Sequence, residues 1–254
     1  MSAPILSSSR DRVARIEIAR LDKKNALTAE MYAMLGAALA AAEADTQVRA
    51  VLLHGTAECF TSGNDVADFL RRPSGGVPPA KALFDVLPVM AKPVVAAVGG
   101  PAIGIGSTLL LHCDLVYAAP NARFQLPFVP LGIVPEFGST FLLPLLAGYQ
   151  RAAELLLLGQ PFTAQKAYEA GIVTAVVPQE NLLAEAEKAA AALAALPPES
   201  IRLTKRLMKA RHGATLAAAI EEETEIFSER LHSPEAKEAL SAFLEKRKPD
   251  FSRF

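Results

Sequence analysis

The chain has 254 residues, 51% of them hydrophobic, and a formal net charge of −1 with both signs spread along it. That composition supports one large packed core, with or without a smaller appendage, and excludes a disordered chain. The missing basic excess argues against nucleic acid as the main partner.

The N-terminus, Met1-Ser2-Ala3-Pro4-Ile5, lacks a charged segment followed by an apolar run, so no secretory signal is read there. The longest apolar stretches are broken by Gly, Pro, His or charge and fall short of a membrane span. Ser252-Arg253-Phe254 does not match the peroxisomal address. Two cysteines, Cys59 and Cys113, cannot staple a chain this long. Buried, reduced thiols in a cytoplasmic protein with no membrane partner are expected.

In chain order, alternation over Ala14–Ala19 predicts a strand buried on one face. Thr28 is placed as N-cap of an Ala/Leu/Met-rich helix reaching Glu43. Val48–His54 predicts a second strand. Lys92–Val98 predicts a third, apolar enough to be covered on both faces. Gly106–Leu111 opens a buried helix, Asp114–Ala118 is another strand, and Ile172–Val177 is the last clear one.

Strands alternating with helices give an α/β class. The uneven connections suit a coiled stack of strand–strand–helix turns better than a regular doubly wound sheet, although no fixed-period repeat is visible. Arg71–Pro79 predicts a loop, read either as a lid or as a surface connector. Beyond Pro197-Pro198 the pattern is helical to Lys248, dividing the chain into a core, residues 1–196, and a helical oligomerisation region, residues 197–254. The tail holds a basic patch (Arg202, Lys205, Arg206, Lys209), read as a solvated helix face, and then an acidic run that includes Glu221, Glu222, Glu223 and Glu225.

Three short stretches carry chemistry. In Thr61-Ser62-Gly63-Asn64-Asp65, Gly63 permits a backbone conformation that turns the Asn64 N–H outward, and Asp65 can cap the next segment. In Ala102-Ile103-Gly104-Ile105-Gly106-Ser107, glycines flank Ile105 and present its N–H at a helix start. Paired N–H groups of this kind stabilise oxyanions. The third stretch is Pro135-Glu136-Phe137-Gly138. Its bland reading is an acid in the first turn of a helix, favoured by the dipole. Its functional reading is a movable base against an apolar wall of Phe128, Phe137 and Phe141. His54 and His112 are expected in the core, and no metal spacing links the histidines. Neither a serine nucleophile elbow nor a dinucleotide fingerprint is present.

Asn25-Ala26-Leu27, Phe60–Asp65, Lys92–Val98, Gly100–Gly106, Cys113-Asp114 and Ala242–Pro249 succeed one another in an order that resembles the crotonase (enoyl-CoA hydratase/isomerase) superfamily across nearly the whole chain. The resemblance implies a crotonase-like spiral of strand–strand–helix turns with a C-terminal helical region, assembled as a homotrimer or a dimer of trimers. It also implies acyl-CoA thioester substrates, with coenzyme A as part of the substrate and no separate cofactor or metal. The enolate oxygen would sit between the N–H groups of Asn64 and Ile105. Ser62, Gly63, Asp65, Val66, Gly104, Phe128 and Phe137 would contact substrate. Phe243 and Lys246 resemble positions that reach the CoA nucleotide across a subunit interface.

Hydratases of the family carry two water-positioning glutamates, and here those places hold Thr108 and Phe128. Glu136 matches instead the single catalytic glutamate of delta-3,delta-2-enoyl-CoA isomerases, which serve fatty acid beta-oxidation. The expectation is that reaction. The alternatives are another single-acid reaction (dienoyl-CoA or ring isomerisation), weak hydration, or a non-catalytic acyl-CoA-binding role.

Overall fold

The alternate residues of two fully buried strands explain how the layers are arranged. The computed structural model describes residues 3–65 and 78–254. β3 (Ala50–His54) and β4 (Val94–Val98) are buried at every position. Val51, Leu53, Val94, Ala96 and Val98 pack in one apolar cluster with Leu35 and Leu39 of α1 (Ala29–Ala44). Ala50, Leu52, Val95 and Ala97 pack in another with Leu182, Ala186, Ala190 and Ala194 of α7 (Leu182–Ala195). Successive strand residues face opposite ways, so an unbroken apolar run requires a cover on each side.

These strands belong to a six-stranded sheet whose order is β1 (Ile5–Arg10), β2 (Val13–Ile18), β3, β4, β6 (Leu115–Ala118) and β9 (Ala175–Val176). β1 pairs antiparallel with β2, and the remaining pairs are parallel. β2 matches the expected alternation, with Ile16 and Ile18 buried. β1 had no sequence signal, because every residue after Ile5 is exposed. The expected strand at Ile172–Val177 shrinks to β9, paired with Tyr117 and Ala118 of β6.

A second, three-stranded sheet joins β5 (Pro101–Ile103), β7 (Arg123–Gln125) and β8 (Phe162–Thr163). An isolated bridge between Thr61 and Ala102 adds the preceding turn to its edge. The chain therefore coils: a strand in the large sheet, a corner, a short strand in the small sheet, then a helix or loop back. α6 (Ala164–Glu169) is one such return, running from β8 toward β9. α1 begins where expected, with Thr28 Oγ1 accepting from the Met31 N–H at 3.2 Å. α2 (Lys81–Val86) packs on α1. The buried helix runs as α3 (Ile105–Thr108), continued by a 3-10 segment, Leu109–His112. The lid or connector at Arg71–Pro79 lies outside the described residues up to position 77, as does Val66. Cys59 is buried and Cys113 half-buried, both as free thiols.

The tail consists of α8 (Pro198–Ala210), α9 (Gly213–Leu231) and α10 (Pro234–Leu244), which pack against the same chain's spiral. The helical pattern stops at Leu244 rather than Lys248. Glu238 pins the last residues by accepting from Arg247, Arg253 and the Asp250 N–H.

The basic patch divides, which corrects its reading as a solvated face. Arg202 is an exposed partner of Glu199, whereas Lys205 is only 5% exposed. Its ammonium reaches Asp114 Oδ2 at 2.6 Å and the Lys92 carbonyl at 2.7 Å. Lys209 donates to the Pro88 carbonyl at 3.1 Å. Desolvation demands such partners for an ammonium drawn under a helix. Among the described residues, no helix is long and apolar enough to cross a membrane.

Candidate active site

Asn25 organises the first turn. Its side chain is fully buried, accepting from the Arg20 N–H at 2.7 Å and donating to the carbonyls of Cys59 and Phe60 at 2.9 and 3.1 Å. Its own carbonyl accepts from Thr61 Oγ1 at 2.7 Å. A buried amide with every group engaged fixes backbone position strongly.

Next to it, Leu27 bridges Asn64 in parallel. The Leu27 N–H donates to the Gly63 carbonyl at 2.8 Å, and the Asp65 N–H donates to the Leu27 carbonyl at 2.9 Å. That pattern leaves the Asn64 N–H with no acceptor among the described residues. The Asn64 side chain is held by Tyr32, whose hydroxyl donates to Oδ1 at 2.6 Å. Asp65 pairs with Arg20 at 2.8 Å; the segment it was expected to cap lies outside the described residues.

The second turn lies beside the first. Gly104 takes φ 57° and ψ −118°, a backbone closed to ordinary side chains, and its N–H donates to the Gln125 carbonyl at 2.9 Å. The N–H groups of Ser107 and Thr108 return to the Gly104 carbonyl, and the Ile105 N–H has no acceptor among the described residues. Close packing joins the turns: a Cβ on Gly106 would lie 2.6 Å from Thr61 Cγ2, and one on Gly63 would lie 2.8 Å from the Ile103 oxygen. Two backbone donors without acceptors thus stand on adjoining loops, each fixed by buried hydrogen bonds. Ser107 donates to the Ala102 carbonyl at 2.5 Å, which gives it a structural task.

Glu136 is 6% exposed. It does not sit in the first turn of a helix: α4 (Ser139–Ala147) begins three residues later, after Phe137 (φ 62°) and Gly138 (φ 70°). The helix start is also occupied by a different acid. The N–H groups of Gly138 and Thr140 are taken at 2.6 and 2.9 Å by Glu223, which reaches over from α9. On the other side, Nε2 of buried His112 lies 2.8 Å from the Phe137 carbonyl. The Phe137 ring stacks on Phe84 at 4.2 Å and tilts against His112 at 4.0 Å. Burial holds the His112 pKa down at about 3, so its imidazole is neutral and Nε2 carries the donated proton. Of the three rings read as an apolar wall, Phe128 and Phe137 are buried, while Phe141 is half-buried and its ring lies against His212.

Beyond Phe84 and His112 opens a cavity of about 790 Å3, lined mostly by apolar side chains that include Leu142, Leu216 and Ile220. Ile133 and Phe137, which flank Glu136, share the apolar cluster of Ile105 and Leu109. Thr108 and Phe128 are also buried. Phe243 is 60% exposed at the end of α10, and Lys246 lies on the surface just after it.

Sequence reading missed Tyr32, Arg20 and Glu223 as parts of this site. Asn25 was visible only as part of a matching tripeptide. Glu223 was hidden in an acidic run whose other members give no sign of which one turns inward.

The family model for enoyl-CoA hydratase/isomerase matches residues 8–253 of the chain. The 1,2-epoxyphenylacetyl-CoA isomerase of Escherichia coli is 35% identical, over 98% of each chain. The enoyl-CoA delta isomerase 2 of Rattus norvegicus is 36% identical over 98% of this chain, which spans 65% of that relative's length. A crystal structure of an enoyl-CoA hydratase/isomerase from Pseudoalteromonas atlantica superimposes with a TM-score of 0.94 at 42% identity, covering 98% of this chain and 100% of that one.

Proposed function

The chain belongs to the enoyl-CoA hydratase/isomerase family, and within it we propose a delta-3,delta-2-enoyl-CoA isomerase working through Glu136 alone. The substrate thioester carbonyl accepts hydrogen bonds from the N–H groups of Asn64 and Ile105, which lowers the cost of removing a proton from C2. Glu136 takes that proton, a dienolate forms, and the same carboxyl returns the proton at C4. The double bond moves into conjugation with the carbonyl. Proton transfer of this kind contributes about 10²–10⁴-fold, and each oxyanion donor is worth about 2.7–4 kcal/mol at the transition state.

One observation carries the reading. Glu136 is the acid buried beside Phe137, while the two places that hold water-positioning glutamates in hydratases are filled by buried Thr108 and Phe128. A phenyl ring where an acid would hold water favours a shuttled proton over hydration. Assembly as a homotrimer or dimer of trimers belongs to the same proposal, with Phe243 and Lys246 completing a neighbour's CoA-nucleotide contact.

A second reading, isomerisation of a CoA ester derived from an aromatic acid, is favoured by the end-to-end match to the Escherichia coli 1,2-epoxyphenylacetyl-CoA isomerase. Turnover of trans-3-hexenoyl-CoA to the conjugated ester, with crotonyl-CoA hydration run alongside, tests both. Isomerisation without hydration is expected. Glu136→Gln should lower kcat by about 10²–10⁴-fold at similar KM, and near-full turnover by that variant would refute the assignment.

A further inference from the structure

We propose that Glu223 is a positioning residue for Glu136: from the C-terminal helical region it clamps the turn that presents the acid and offsets the helix end beside it. This rests on the reading of Glu136 as the proton carrier.

Within the turn itself, the backbone bond is a long one, from the Ser139 N–H to the Glu136 carbonyl at 3.3 Å. Phe137 and Gly138 are both left-handed, and Gly138 occupies the N-cap position of α4, where it offers no side-chain acceptor. A larger residue is disfavoured there by the left-handed backbone, and its Cβ would require the Leu216 side chain of α9 to move. The acceptor comes from α9 itself, 85 positions along the chain. Glu223 Oε2 accepts from the Gly138 N–H at 2.6 Å, and Oε1 accepts from the Thr140 N–H at 2.9 Å and the Thr140 hydroxyl at 2.5 Å.

The two backbone N–H groups favour the ionised carboxylate, while the Thr140 hydroxyl can donate or accept and suits either form. Burial raises the carboxyl pKa, and the same donors work in the opposite direction.

Glu136 is affected in two ways. First, the turn is gripped on both sides, by Glu223 at the Gly138 and Thr140 N–H groups and by His112 at the Phe137 carbonyl. A proton shuttle between C2 and C4 needs this, because an acid misplaced by about 1 Å can lose about 100-fold in rate. Second, the N–H groups at the start of α4, which begins three residues after Glu136, would by themselves favour the carboxylate and weaken the base. Glu223, when ionised, offsets that helix end.

Other ionisable groups stand around the adjoining cavity: His112 and Asp114 at the end of the 3-10 segment, Lys81 and Asp85 of α2, Lys209 of α8, His212, and Glu221 and Glu225 of α9. Of these, His112 is held neutral, and Lys81 pairs with Asp85.

The test is the pH profile of kcat on trans-3-hexenoyl-CoA for Glu223→Gln and Glu223→Asp beside Glu136→Gln. Glu223→Gln should lower kcat by about 10- to 100-fold with KM within threefold, and its acidic limb should move to lower pH by up to about one unit. Glu223→Asp keeps the charge and should leave the limb in place while kcat falls. A folded Glu223→Gln with native kcat and an unmoved limb, beside an inactive Glu136→Gln, would overturn the positioning role and spare the proton-carrier reading. Near-native turnover by Glu136→Gln would sink both. If Glu223→Gln does not fold, Glu223→Asp decides: a reduced kcat at an unmoved limb supports the role, and a native kcat refutes it.

Discussion

Gly63→Ala should damage both turns of the proposed oxyanion hole through one methyl group. Gly63 holds φ 89°, where an L-residue is strained by about 1–2 kcal/mol. The new Cβ would sit 2.8 Å from the Ile103 oxygen, closer than carbon and oxygen tolerate. That oxygen cannot swing aside independently, because Ile103 ends β5 and leads directly into Gly104 and Ile105.

Relief must therefore displace the Asn64 turn, the Ile105 turn, or both. Losing one donor corresponds to about 10²–10³-fold in kcat. The stability cost should be about 2 kcal/mol, or roughly 4–8 °C in Tm for a chain of this size.

Gly148→Ala supplies the comparison. Gly148, between α4 and α5 (Tyr149–Leu158), has φ 78° and ψ 156° and no atom within 4 Å of its would-be Cβ. It should lose similar stability by strain alone and keep its activity. Thermal melts and turnover of trans-3-hexenoyl-CoA separate the two effects. Equal stability losses with Gly63→Ala retaining more than half its kcat would refute the placement of donors on these turns.

Two further outcomes concern stability. Lys205→Met should cost about 3–5 kcal/mol in urea unfolding, because it strands Asp114 beneath α8 without its cation; a loss below about 1 kcal/mol would mean that water screens the pair. His112 makes stability depend on pH. Its folded pKa of about 3 lies below the ordinary 6.5, so the unfolded chain binds the proton first. Stability from this residue is intact above pH 6.5 and falls with acidification at up to about 1.4 kcal/mol per pH unit. His112→Gln keeps a donor near the Phe137 carbonyl and removes the titration, so the acid slope measured in urea should flatten. An unchanged slope would mean that another group carries it.

The central strands of the large sheet were legible because each depends on neighbours in sequence. The apolar run from Val94 to Val98 requires cover on both faces, and Thr28 ahead of an Ala/Leu/Met run is a local helix-start signal. The glycine turns at 63 and 104 were legible for the same reason, since positive φ is a local demand. The small sheet was not. Its strands are two or three residues long, too short to show alternation, and they exist because the coil brings them side by side.

Glu136 was visible as a residue, and its surroundings were not. By itself the sequence determined an α/β coil with two donor turns and one isolated acid, because backbone conformation and amphipathic pattern are encoded over a few consecutive positions. Only the tertiary structure decided that Lys205 turns inward to Asp114 while Arg202 stays outside, that the Phe141 ring lies against His212, and that Glu223 takes the helix start beside Glu136. Those choices join residues dozens of positions apart. The members of each run share a sign of charge, and packing selects which of them is buried.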